Sequence, residues 1–171
     1  MSEVWKPSVT VAAIVEKDGK YLLVEEHTTD GIKINQPAGH LDPGEAPETG
    51  AARECLEESA WVVKPVGLLG IYLSRYTSSR TGEDVTYLRF AFAAEAVEEQ
   101  LGRALDEGII QVKWMSYDEV LACESQHRSP LVLRCIQDLR AWKAGTKPLT
   151  PLSNVYTHPS VLNGPVPPGQ S

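Results

Sequence analysis

Six acidic side chains and one arginine crowd the stretch Gly39–Trp61, GHLDPGEAPETGAARECLEESAW, which contains no lysine. The acids are Asp42, Glu45, Glu48, Glu54, Glu57 and Glu58, and the arginine is Arg53. With Glu54 set at zero on a helix of about 100° per residue, Glu57 falls near about −60° and Glu58 near about +40°. The three carboxylates then share one face within roughly a 100° arc, and Leu56, with Ala52 nearby, falls on the side that can pack. A solvated surface helix is one reading of such a run. Against it, like charges at i,i+3 and i,i+4 cost about 0.2–0.5 kcal/mol per pair, and Glu57 and Glu58 occupy the last turn, where the helix dipole disfavours anions. A divalent cation held by hard oxygen ligands, Mg²⁺ or Mn²⁺, removes both penalties, whereas the spacing does not follow the EF-hand loop of calcium sites. Arg53 can pair with Glu45 across the preceding loop and fix that loop to the helix, or be an ordinary surface arginine. Gly39 fits a sharp turn or a close approach of bare backbone to an ion.

These residues need elements to position them. The runs Val9–Val15 and Tyr21–Glu26 flank Asp18-Gly19 and predict a β-hairpin. Ile32–Gln36 predicts a short strand stopped by Pro37, followed by a loop that holds Gly39 and Glu45. Pro47 suits the first position of a helix ending near Ser59-Ala60, with Trp61–Val63 extended beyond it. Val66–Arg75, Val85–Ala94 and Ile109–Met115 predict further strands. On Val85–Ala94 the alternation puts Thr86, Leu88, Phe90 and Phe92 towards the core and Tyr87, Arg89, Ala91 and Ala93 on the other face. Arg89 there is either a phosphate contact or an exposed strand arginine. Ser116 and Glu119 form a capping box for a short helix. Ser129-Pro130 opens a longer one to about Lys143, with Val132, Cys135, Ile136, Leu139 and Trp142 at helical spacing.

The order of elements predicts an α+β chain or a layered α/β/α sandwich. Residues 1–146 read as one domain and residues 147–171 as a tail that holds six of the chain's twelve prolines. At 171 residues with 42% hydrophobic and 23% charged content, the chain is ordinary for a globular protein. Its net charge of −7 argues against nucleic acid polymers and anionic membranes as partners but leaves small phosphorylated substrates open. The three cysteines, Cys55, Cys123 and Cys135, match no zinc spacing and read as reduced thiols. The N-terminus lacks the pattern of a signal peptide and no window is long and apolar enough to span a membrane, so the expectation is a cytoplasmic protein.

The acidic stretch resembles the Nudix box, G-x5-E-x7-R-E-U-x-E-E-x-G-U, with Gly39, Glu45, Arg53, Glu54, Glu57 and Glu58 at the matching positions. Cys55 replaces the bulky aliphatic, Ala60 replaces the later glycine, and Trp61 fills the last apolar place. Asn35-Gln36-Pro37-Ala38-Gly39-His40-Leu41, Leu88-Arg89-Phe90 and Arg128–Val132 are similar to the bacterial NudJ phosphatase subgroup. The resemblance implies a Nudix-type α/β/α sandwich with a mixed sheet, and Mg²⁺ bound by Glu54, Glu57, Glu58 and the Gly39 carbonyl. It implies a Glu45–Arg53 pair and an extra acid near Glu107, a residue that otherwise reads as a solvated loop acid. Catalysis would fall to Glu57 and Glu54, supported by Arg53 and Glu45, and substrate contact to Gln36 and Arg89. The implied reaction is hydrolysis of phosphoanhydride bonds in nucleoside di- and triphosphates or thiamine-pathway diphosphates, by a monomer or homodimer. The alternatives are an ADP-ribose or oxidised-nucleotide pyrophosphatase, or a non-cleaving nucleotide-binding module of the same fold.

Overall fold

The structure is a computed structural model that describes residues 4–163. Strand β1 (Ser8–Lys17) and strand β2 (Lys20–Thr28) form the expected hairpin. Asp18 and Gly19 both take positive φ, 52° and 75°, which gives the tight two-residue turn whose twist suits a hairpin. Strand β3 (Gly31–Asn35) follows, then β4 (Ala38–His40), helix α1 (Pro47–Ser59), and the long strands β5 (Trp61–Thr77) and β6 (Asp84–Glu99). Strand β7 (Ile109–Ser116), helix α2 (Tyr117–Ala122), helix α3 (Leu131–Lys143) and the single turn α4 (Pro159–Leu162) complete the described chain.

Strand β1 is the axis of the sheet. It runs parallel to β6 from Ser8↔Tyr87 to Val15↔Ala94, and antiparallel to β4 at Val11↔Gly39. At its far end it hands over to β2, which pairs in turn with β3 and β7. The path β3-β2-β1-β6-β5 therefore mixes parallel and antiparallel pairs, as expected for this fold class.

Both faces of the sheet are covered, which explains why Val11–Val15 is a continuous apolar run. Successive side chains of a strand point to opposite faces. Accordingly Ala12 and Ile14 pack with Val132, Cys135, Ile136 and Leu139 of α3. Ala13 and Val15 pack with Cys55 of α1, and Val11 with Ala51. The same two-sided burial corrects the reading of β6. Phe92 does face the α1 layer, but Ala91 and Ala93 are equally buried under α3, and Arg89 is buried with them. On α1 the packing side is carried by Ala51 and Cys55, both fully buried, while Leu56 is only half-buried.

Three further departures have local causes. Gly39 lies on strand β4, not in a loop; its three-residue strand is too short to show a period in the sequence. Trp61–Val63 and Val66–Arg75 are one strand, because bulges near Pro65–Gly70 carry the pairing with β6 past the proline. The proline-rich segment adds an antiparallel bridge, with mutual backbone hydrogen bonds of 2.8 and 3.1 Å between Leu68 and Thr150. Residues 164–171 of that segment lie outside the described residues. All three cysteines are buried and unpaired. Among the described residues no helix is long and apolar enough to cross a membrane.

Helix α1 ends on Ala60 at φ 60°, ψ 11°, a left-handed conformation that disfavours any Cβ, and the Ala60 N–H bonds the Leu56 carbonyl. Ala60→Gly is expected to stabilise the fold by about 0.5–1 kcal/mol, the relief of left-handed strain exceeding the lost methyl burial. Urea unfolding checks this; an unchanged or lower midpoint contradicts it.

Candidate metal and substrate site

The site forms where β4 crosses the start of the sheet and α1 lies against it. Gly39 is pressed onto the helix: a Cβ there would coincide with the Glu54 carboxylate. The close approach is thus between a bare strand and the flexible end of a helix side chain, which a Cβ would displace. Gly50 plays the matching part inside α1, where a Cβ would lie 2.6 Å from Glu45 Oε1.

Arg53 ties these parts together. Its Nε and Nη2 donate to both oxygens of Glu45 at 3.0 and 2.8 Å. Its Nη1 donates to Glu54 at 2.9 Å and Glu57 at 2.8 Å, and Nη2 also reaches the His40 carbonyl at 3.1 Å. All the N–H groups of a guanidinium are thereby engaged. The guanidinium's pKa is raised, chiefly by Glu45. The Glu45–Arg53 pair read from the sequence is present, and the arginine also faces the acidic side of the helix.

The carboxylates divide into two groups. Oxygens of Glu54, Glu57 and Asp106 all lie within 4.8 Å of one another. Asp106 arrives there because its backbone N–H caps the Glu57 carbonyl at 3.0 Å, docking the 100–108 connection on the helix end. The sequence singled out the neighbouring Glu107, which is exposed and stands outside this group. Two adjacent loop acids carry no period that would tell them apart; only the cap selects Asp106. Glu58 takes the opposite flank, where its Oε2 accepts the Ala38 N–H at 2.9 Å.

Burial and mutual repulsion set the acidities. Burial raises the Glu54 carboxyl and outweighs Arg53, with Glu57 and Asp106 adding to the rise. Burial likewise pushes Glu58 up to about 8, reinforced by Glu26, Glu54 and Asp106 and opposed by the Ala38 N–H. Glu45 differs: burial would raise it, but the hydrogen bonds from Arg53 and Asp42 prevail and hold it low. The result is a set of hard oxygen donors whose charged forms are disfavoured by burial and mutual repulsion, which a divalent cation would offset.

Beside Gly39 the surface opens into a cavity of about 210 Å³, whose lining includes Thr10, Glu26, Tyr76, Tyr87, Arg89 and Arg128. Of the two predicted substrate contacts, Arg89 lines it and Gln36 does not. Gln36 is buried behind, with Nε2 donating to the Val132 carbonyl at 2.7 Å and Oε1 accepting from Arg89 at 3.2 Å. It orients the arginine.

The chain is similar to known proteins over most of its length. Residues 4–135 match the family model described as NUDIX domain. The chain is 37% identical over 136 residues to Phosphatase NudJ of Escherichia coli K12, a match covering 78% of this chain and 85% of that one. A solved NUDIX hydrolase from Nitrosomonas europaea superposes with a TM-score of 0.78 at 45% identity, covering 90% of this chain and 98% of that one. The NUDIX domain of Shewanella oneidensis NrtR, solved with ADP ribose, shares the fold at 20% identity and a TM-score of 0.64, over 82% of this chain and 90% of that one.

Without divalent cation, Glu58 binds a proton in the fold that it lacks when unfolded, between its ordinary pKa and about 8. The linkage sign is then fixed: stability is highest below about pH 4.5 for this group and falls as pH rises towards 8. In EDTA, unfolding free energy is expected to drop by roughly 1–4 kcal/mol from pH 5 to 8, with most of the slope removed by Glu58→Gln. Equal slopes in the two proteins would contradict the burial argument.

Proposed function

Because this chain belongs to the NUDIX family of hydrolases, which act on phosphoanhydride bonds, we propose that it is a Mg²⁺-dependent phosphatase of small diphosphates and triphosphates resembling NudJ. The observation that supports the metal dependence is the gathering of Glu54, Glu57 and Asp106 oxygens within 4.8 Å of one another. Family resemblance would add Glu58 and the Gly39 carbonyl as further donors, and Mn²⁺ offers the same hard-ligand chemistry. Bound there, the cation would neutralise phosphate oxygens and acidify the attacking water.

The chain's own residues supply the rest. Glu57 is the more exposed of the two helix carboxylates on Arg53, at 31% against 11% for Glu54, and so is better placed to take a proton from solvent water. Arg53 and Glu45 hold the β4–α1 junction in register. Arg89 presents a buried cation to the substrate side. The intact carboxylate set argues for cleavage over simple binding, since a binder has no need to bear the repulsion among Glu54, Glu57 and Asp106. We place the reaction in the cytoplasm, on nucleoside di- and triphosphates or thiamine-pathway diphosphates.

Phosphate release from that panel, with Mg²⁺ and with EDTA, tests the reading; no turnover of any diphosphate in Mg²⁺ would sink it. Glu57→Gln and Glu58→Gln are each expected to lower kcat by about 10²-fold or more while leaving the fold stable, because like-charge repulsion is relieved. Gly39→Ala displaces the flexible end of Glu54 and should cost on the order of 10²-fold in kcat/KM through misplacement alone. Its circular dichroism should match the parent's.

A further inference from the structure

We propose that Leu152 and Val155 of the C-terminal segment are positioning residues for the hydrolytic site, holding Leu41 and with it the loop that Arg53 clamps. This rests on the hydrolase reading and adds to it a part of the chain remote in sequence from the acidic stretch. The starting observation is a shared apolar cluster. Val11, Ala51 and Phe92 form its buried floor, and Leu41, Leu68, Phe90, Leu152 and Val155 pack on that floor half-buried. Leu41 belongs to the site loop, whereas Leu152 and Val155 come from beyond α3.

The local sequence suits this segment to the task. In Pro151-Leu152-Ser153-Asn154-Val155 the apolar residues stand three apart. Leu152–Asn154 forms one 3₁₀ turn, in which Asn154 N–H donates to the Pro151 carbonyl and Val155 N–H to the Leu152 carbonyl, both at 2.9 Å. Residues i and i+3 of such a turn lie on one side. Leu152 and Val155 therefore face the sheet together while Ser153 and Asn154 stay exposed. Upstream the segment is moored twice: Lys147 pairs with Asp138 of α3 at 2.7 Å, and Thr150 exchanges backbone hydrogen bonds with Leu68. Gly67 admits this approach, since a Cβ there would lie 2.5 Å from the Leu149 side chain and 2.9 Å from the Thr150 carbonyl. Downstream, the Val161 carbonyl of α4 lies 4.0 Å from where a Cβ on Gly44 would stand, so the segment meets the site loop a second time.

Leu41 carries the effect to the chemistry, because Arg53 holds the residue on either side of it. The His40 carbonyl accepts from Arg53 Nη2 at 3.1 Å, and the Asp42 carboxylate lies 3.5 Å from the same nitrogen. The Asp42 N–H also donates to Glu45 Oε1 at 2.8 Å. A loop released at Leu41 thus shifts the guanidinium that orients Glu54 and Glu57. Among the described residues none beyond Leu131 lines the cavity beside Gly39, so the segment acts on the geometry of the site and not by touching substrate.

Two measurements test this on three proteins besides the parent. They are Leu152→Ala/Val155→Ala; Gly67→Ala, which displaces the segment without altering it; and Ile136→Val in the α3 layer, a control for lost stability. The first measurement is steady-state hydrolysis in Mg²⁺ of the diphosphate turned over fastest, at a temperature where circular dichroism shows every variant folded. The second follows the Arg53 Nε–H signal by NMR in EDTA, so it does not depend on turnover. In the double variant and in Gly67→Ala, kcat is expected to fall about tenfold with KM unchanged within about twofold, as misplacement of the reacting groups dictates. Exchange of the Arg53 Nε–H with solvent should quicken about tenfold in both. Leu152→Met/Val155→Ile, which refills the cluster, should keep the parent's values, and Ile136→Val should lower only the Tm. A segment that merely packs would lower the Tm of the double variant and leave kcat and the Arg53 signal as in the parent; that result overturns the proposal. A parent that hydrolyses no diphosphate would strike the proposed reaction and leave the Arg53 exchange to decide the positioning role.

Discussion

The Arg53 guanidinium is the constraint on which the site depends. Three pieces of chain meet at it: the β4 strand through the His40 carbonyl, the following loop through Glu45, and the helix through Glu54 and Glu57. Each contact is charge-assisted or to a strong acceptor, and the Glu45 contact is bidentate, which fixes direction as well as distance. Without a cation in their midst, Glu45, Glu54 and Glu57 would drive these pieces apart. The bare backbone at Gly39 and Gly50 is what lets the pieces come near enough for one side chain to reach them all. A surface ion pair adds little to stability, but this network sets geometry, and geometry is what a metal-dependent site requires.

The layered core supplies the stiffness behind it. Strand β1 contributes alternate side chains to opposite helices, so α1 and α3 are both indexed to the same strand. The acidic helix is held from beneath by Ala51 and Cys55, small residues that let it lie close to the sheet. On the other side, Ala91 and Ala93 leave room for α3 while Arg89, one pleat away on the same face, reaches the cavity. The two chemical regions are thus fixed to adjoining strands of one sheet.

Much of this was legible in the sequence. The hairpin, the α1 boundaries, the Ser116–Glu119 capping box and α3 all follow from local signals: a turn dipeptide, a proline at N1, a cap, a helical period. The spacing of Gly39, Glu45, Arg53, Glu54, Glu57 and Glu58 was enough to identify the family. What escaped was set by contacts distant in sequence. Asp106 is selected by a backbone cap on the far end of α1, and β4 is defined only by its partner β1. Arg89 looked like an open-face residue because alternation cannot say that a helix from residues 131–143 will cover that face. Gln36 looked like a ligand contact because the sequence cannot show that its amide is already spent on Val132 and Arg89.

The three cysteines have a consequence beyond packing. Cys55 sits under α1 and Cys135 under α3, one on each side of the sheet, and Cys123 lies at the end of α2. Burial pushes the Cys55 thiol up to about 12 and the Cys135 thiol up to about 11. Neither forms appreciable thiolate near neutrality, so neither is open to oxidants or alkylating agents while its layer stays closed. Each thiol is therefore shielded by its own layer, so labelling at Cys55 or at Cys135 would report opening of the face on which that residue lies.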